Sequence, residues 1–206
     1  MFNSIHYISQ GDTPQEQLYH IESVLAGGQR WIQFRFKDTL NSIRWQTAEQ
    51  AKILCDTYQA KLIINDHVDL ALALDADGVH LGLQDTSIAT ARVLLPNKII
   101  GGTANTLSEI RQRIAEGCDY IGLGPLRYTS TKKNLSPLLG FKGYETLLTT
   151  LTIEEKKTPI IAIGGITLED LPFLEQLGLS GVAISSLLHQ AQHPQHILQQ
   201  LNTYFL

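Results

Sequence analysis

The stretch Lys61–Thr103, KLIINDHVDLALALDADGVHLGLQDTSIATARVLLPNKIIGGT, holds three short apolar runs, Lys61–Asn65, Gly78–Gly82 and Lys98–Thr103, spaced by longer segments. Each run is near-continuously apolar, which suits a strand covered on both faces. The same order extends in both directions. Upstream it predicts strands over Ile5–Ser9 and Trp31–Phe36, and downstream over Tyr120–Pro125, Ile160–Gly165 and Gly181–Ser185. The intervening Pro14–Ala26, Arg44–Tyr58 and Leu107–Glu116 place apolar residues three and four apart, as Leu18, Ile21 and Leu25 do, with glycines near several ends to stop the helices. About eight such units in 206 residues predict an α/β fold closed as a (β/α)8 TIM barrel, a single domain over 1–206, since an open doubly wound sheet usually carries fewer strands.

The totals narrow the functional classes. With 16 Lys and Arg against 20 Asp and Glu, the formal charge of −4 offers no general field for a polyanion, so no nucleic-acid partner is expected and any phosphate must be held locally. Cys55 and Cys118 stand outside CxxC or His spacing and read as core thiols. The N-terminal residues show no basic segment leading into an apolar run, and no stretch approaches the roughly 18 apolar residues of a membrane span. A soluble, cytoplasmic protein with no membrane partner follows, with room for a homo-oligomer.

In a barrel, catalytic groups sit at the C-terminal ends of the strands. The second strand ends Gln33-Phe34-Arg35-Phe36-Lys37, so Gln33, Arg35 and Lys37 share one face and two phenylalanines the other. If the polar face looks inward, two cations enter a barrel mouth and require an anion to meet them. The third strand ends Asn65-Asp66, and the fourth is followed by Gly82-Leu83-Gln84-Asp85, bringing two carboxylates to neighbouring tips. Such a pair suits magnesium, which takes one or two protein carboxylates and completes its shell with water and phosphate oxygens. Asp66 is equally placed to cap a helix carrying Val68, Leu70, Leu72 and Leu74, and both readings stay open. Asp69 and Asp77 read as helix-end and turn acceptors.

After the sixth strand comes the longest irregular stretch, Arg127–Leu139, opening Arg127-Tyr128-Thr129-Ser130-Thr131-Lys132-Lys133. Long loops in compact barrels are usually functional, and hydroxyls followed by cations can envelop a diphosphate. The seventh strand ends Gly164-Gly165 and the eighth Ser185-Ser186, where barrels commonly seat a phosphate among backbone amides. His80, on an apolar strand, reads as a hydrogen-bonded core residue. The cluster His189-Gln190 and His193-Pro194-Gln195-His196 reads as a solvated helix face.

Taken in order, Gln33-x-Arg35-x-Lys37, Asn65-Asp66, Gly78-Val79-His80-Leu81-Gly82-x-x-Asp85, Gly124-Pro125, Thr129-x-Thr131-Lys132-Lys133 and Ile163-Gly164-Gly165-Ile166 resemble the thiamine-phosphate synthase family across almost the whole chain. The resemblance implies a transferase that condenses 4-amino-2-methyl-5-hydroxymethylpyrimidine diphosphate with a (carboxy)thiazole phosphate, giving thiamine phosphate and pyrophosphate, with carbon dioxide from the carboxylated thiazole. It further implies Mg2+ on Asp66 and Asp85. It places Gln33, Arg35, Lys37, Asn65, Thr103 and Lys132 against the pyrimidine diphosphate, with Lys37 and Lys132 catalytic, and Thr129, Thr131, Gly165, Ser185 and Ser186 against the thiazole phosphate.

The chain departs from the family pattern at Phe34 and Phe36, at Thr103 where serine is usual, at Asn105 where histidine is frequent, and at Arg127-Tyr128 in place of an aromatic-proline pair. Two rival readings share the barrel: a thiazole tautomerase, which needs neither a metal nor Lys37, Asp66 and the Thr-x-Thr-Lys run, and a non-catalytic regulator that binds thiazole phosphate.

Overall fold

The computed structural model describes residues 4–37, 39–129 and 136–205. Among them, eight parallel strands, β1 (Ile5–Ile8), β2 (Trp31–Phe34), β3 (Lys61–Asn65), β4 (Gly78–Leu81), β5 (Ile99–Ala104), β6 (Tyr120–Leu123), β7 (Ile160–Ile163) and β8 (Gly181–Ile184), pair in chain order, and β8 closes on β1. The barrel expectation holds. Helices follow each strand: α1 (Pro14–Ala26), α2 (Asn41–Thr57), α3 (Val68–Ala73), α4 (Ile88–Leu94), α5 (Leu107–Ala115), α6 (Gly140–Thr150), α7 (Leu171–Gln176), and after β8 the short α8 (Ser186–His189) and α9 (Pro194–Asn202).

Local chemistry starts the helices. Thr13 caps α1 by accepting from the Glu16 amide while the Glu16 carboxylate returns to the Thr13 amide, and Pro14 supplies a pre-set first turn. Thr106 and Glu109 repeat the device at α5. The apolar spacing of α1 buries Ile21, Val24 and Leu25 completely, each contributing about 1.5–3 kcal/mol by leaving water.

Strand alternation divides the core. Ile32, Phe34, Leu62, Ile64, Val79, Leu81, Ile100 and Ile121 face outward into one continuous layer with the helices. Trp31, Ile63, Tyr120, Ile161 and Ala183 fill the barrel interior as a separate cluster. That interior is closely fitted at Gly101, where a Cβ would stand 2.2 Å from Tyr120 Cζ.

Six of the strands stop one or two residues short of the expected ends. In β2 the ladder gives out after Phe34, and the Arg35 amide donates to Ser9 Oγ over 2.9 Å, so the chain leaves the sheet with Arg35 and Lys37 at the barrel mouth and Phe36 in the outer layer. Helix α2 runs Asn41–Thr57 rather than Arg44–Tyr58. The capping reading of Asp66 is overturned. His67 occupies the N-cap of α3, and Asp66 sits in the left-handed region at φ 66° with its amide donating to the His80 carbonyl. Asp77 accepts from the Leu62 amide of β3 rather than from a helix-end or turn amide, and Cys55 and Cys118 are buried as expected. His189 corrects the solvated-face reading. It is half-buried, with its ring 4.7 Å from that of His20 and 6.5 Å from that of Tyr7.

Candidate active site

A cavity of about 470 Å³ opens at the C-terminal ends of the strands. Gln33, Arg35, Lys37, Asn65, Asp66, Asp85, Thr103, Thr129, Gly165, Ser185 and Ser186 all line it. Thr131 and Lys132 lie outside the described residues.

The inward polar face of β2 follows from packing. Phe34 and Phe36 are buried in the outer layer, which commits Gln33, Arg35 and Lys37 to the cavity side. The Arg35 backbone is fixed from both directions, by Ser9 Oγ at its amide and by Gln17 Nε2 donating to its carbonyl over 3.2 Å. Gln33, nearly inaccessible, donates from Nε2 to Asn65 Oδ1 over 2.8 Å, joining the β2 and β3 tips.

Lys37 Nζ lies 2.6 Å from Asp66 Oδ2. Asp85 accepts from the Gly82 amide at 2.7 Å and shares a hydrogen bond with Asp66. Burial works to raise the Asp66 carboxyl, but Lys37 and the hydrogen bond from Asp85 outweigh it and hold Asp66 below the usual aspartate range. For Asp85, which stays exposed, partial desolvation of the carboxyl and the neighbouring Asp66 together push it up. The two carboxyls are thus driven apart in proton affinity, Asp66 down and Asp85 up. No group of three or more His, Cys, Asp or Glu side chains that could hold a metal occurs among the described residues; Asp66 and Asp85 are the carboxylates that line the cavity there.

Across the barrel, β7 and β8 supply the other wall. Gly165 turns in the left-handed region at φ 65°, and a Cβ there would meet Arg127 Cγ at 2.5 Å. Ser185 Oγ is screened from solvent and has no hydrogen-bond partner among the described residues, an orphaned donor at the cavity wall.

Arg127 belongs to the scaffold. It makes a forked pair with Asp170, at 2.5 and 2.7 Å, and donates to the Gly165 carbonyl at 2.8 Å. Asn105 is likewise structural: buried, it donates from Nδ2 to the Gly124 carbonyl at 2.9 Å and to Pro137 at 2.8 Å, tying together two ends of the loop after β6. His80 is the hydrogen-bonded residue expected, with Tyr120 and Thr103 as partners at 3.0 Å each.

The sequence reading missed Ile8, Ile163, Ile166, Leu187 and Ser136, which also line the cavity. Alternation along β1 and β7 would have found Ile8 and Ile163 once Trp31 had set the inward register. Ser136 reaches the cavity from an irregular segment and carried no periodic signal.

The family model for thiamine monophosphate synthase matches residues 6–188. A thiamine-phosphate synthase of Flavobacterium psychrophilum is 49% identical over 203 residues, covering 98% of each chain. One from Bacteroides fragilis is 42% identical over 93% of this chain and 94% of its own. Among solved structures, a thiamine phosphate pyrophosphorylase from Pyrococcus furiosus superposes with a TM-score of 0.81 at 27% identity, covering 98% of this chain and 94% of that one.

Proposed function

This chain belongs to the thiamine monophosphate synthase family, and on that premise we propose how its barrel mouth carries out the reaction. The activity is a transferase reaction that forms thiamine phosphate. The electrophile is 4-amino-2-methyl-5-hydroxymethylpyrimidine diphosphate, and the nucleophile is a thiazole phosphate, carboxylated in the form that releases carbon dioxide. The observation that carries the assignment is the pairing, within one cavity, of a Lys37–Asp66–Asp85 cluster with a glycine and serine wall on the opposite strands.

Asp66 and Asp85 would hold Mg2+, which supplies positive charge to the diphosphate oxygens. Lys37, with Lys132 from the loop after β6, stabilises the departing pyrophosphate as the C–O bond breaks and its electron pair goes to the diphosphate. Arg35, held by its pinned backbone, takes the diphosphate, and Gln33 with Asn65 orients the pyrimidine. Thr103 presents its hydroxyl to the same ring. Thr129, Thr131, Gly165, Ser185 and Ser186 seat the thiazole phosphate, whose ring nitrogen attacks the pyrimidine methylene cation. No strong base is needed, and His80, the one imidazole among the described lining residues, has its two ring nitrogens hydrogen-bonded to Tyr120 and Thr103.

Both substrates are small phosphorylated anions that do not cross bilayers unaided, and we place the reaction in the cytoplasm. No helix among the described residues is long and apolar enough to cross a membrane. Pyrophosphate release measured with both substrates, with and without Mg2+, tests the proposal. Metal-dependent release requiring both substrates is expected; isomerisation of the thiazole phosphate alone, or binding without turnover, would replace it with one of the rival readings.

A further inference from the structure

Three neighbouring strands contribute one connected polar chain inside the barrel. Tyr120 on β6 places its hydroxyl 3.0 Å from His80 Nδ1 on β4, and His80 Nε2 lies 3.0 Å from Thr103 Oγ1 on β5. Tyr120 is buried at the level of Trp31, Ile63 and Ile161, whereas Thr103 lines the cavity. The chain thus runs from the buried barrel interior to the cavity, which His80 and Thr103 both line. The imidazole ring fits because Gly122 offers no side chain; a Cβ there would stand 3.1 Å from His80 Cε1.

We propose that Tyr120 and His80 are positioning residues that set the Thr103 hydroxyl as a hydrogen-bond donor to a ring nitrogen of the bound pyrimidine, which rests on the substrate assignment above. The direction follows from the groups. A phenol is a strong donor and a weak acceptor, and an imidazole nitrogen is the reverse, so the Tyr120 O–H donates to Nδ1. Burial also keeps that phenol protonated, well above its ordinary range. With Nδ1 accepting, the ring hydrogen sits on Nε2 and is donated to Thr103 Oγ1. The threonine has one O–H remaining, and it is left for the cavity. A doubly protonated His80 would still donate from Nε2. Only the opposite tautomer would turn Thr103 into an acceptor facing a substrate nitrogen that is itself an acceptor.

Ring-nitrogen NMR on the 15N-labelled protein reads the direction. We expect His80 Nε2 to show the shift of a nitrogen bearing hydrogen; a bare Nε2, or averaged shifts at both nitrogens, would overturn the proposal. Calorimetry with the pyrimidine diphosphate and steady-state kinetics supply the second arm. Tyr120→Phe should weaken pyrimidine diphosphate binding about five- to tenfold, leave the KM for thiazole phosphate unchanged, and add nothing in a Thr103→Val background, whereas Thr103→Ser should retain affinity. Equal losses for both substrates, or additive effects of the two substitutions, would mean that Tyr120 merely supports the barrel. If the parent protein releases no pyrophosphate, the reaction reading has failed, while the NMR and binding arms still decide the chain's direction.

Discussion

Asp66 stands between Lys37 and Asp85, accepting from the lysine ammonium at 2.6 Å and from the second carboxyl on its other side. It reaches that position only because its backbone adopts φ 66°, which swings the side chain from the helix it was placed to cap toward the cavity. One residue thus joins the cationic face of β2 to the carboxylates of β3 and β4.

Removing the lysine should affect chemistry more than nucleophile binding. Lys37→Ala is expected to lower kcat by about 10²–10³-fold, with the thiazole phosphate KM unchanged. Lys132→Ala should behave alike. Steady-state kinetics with each substrate varied in turn checks both, and an unchanged kcat would remove the lysine from the leaving-group site.

The carboxylate pair predicts an unusual pH response in the metal-free protein. Asp85 is pushed up in the fold, so its contribution to stability is fully present below the ordinary aspartate value, about pH 4, and is lost as pH rises through the raised value. Asp66 runs oppositely: its contribution is present above about pH 4 and is lost as pH falls through the lowered value. Asp85→Asn should therefore melt above the parent at neutral pH and match it in acid. The gap should be at most a few degrees, since Asp85 is exposed to solvent screening. Mg2+ should raise the parent's melting temperature and leave the variant's nearly unchanged.

Gly165→Ala forces a Cβ into left-handed backbone and against Arg127. Strain of about 1–2 kcal/mol is expected, visible in urea denaturation, together with a higher KM for thiazole phosphate and an unchanged KM for the pyrimidine diphosphate.

Asp170→Ala should be a stability variant. Its carboxylate is 3% exposed and holds both Arg127 and the Thr167 amide. Losing it should lower unfolding free energy by about 2 kcal/mol with little change in kcat at saturating substrate. A large fall in kcat with intact stability would place Arg127 in the chemistry after all.

The barrel was legible because near-continuously apolar runs and segments of helical spacing alternate so regularly that each unit supports the reading of the next. On β2, Phe34 and Phe36 marked the outer face and so placed Gln33, Arg35 and Lys37. Asp66 was ambiguous since capping and cavity-lining carboxylates occupy the same place in a sequence, and only the sign of φ separates them. The fates of Arg127 and Asn105 depended on Asp170, Gly124 and Pro137, partners brought close by the closed sheet rather than by spacing along the chain. His189 looked solvated on composition alone, but α8 is a single turn that lays it against His20 and Tyr7.

The groups assigned to the diphosphate, apart from Lys132, come from β2 to β5 and the loops between them, and those assigned to the monophosphate from the loop after β6 onward. Because the strands pair strictly in chain order, this division of labour is also a division of the coding sequence into consecutive portions. Drift in the later portion can remodel acceptance of the nucleophile while the earlier one keeps its grip on the electrophile. On the proposed assignment, a chimera joined after β5 is expected to take most of its grip on the electrophile from one parent and most of its acceptance of the nucleophile from the other.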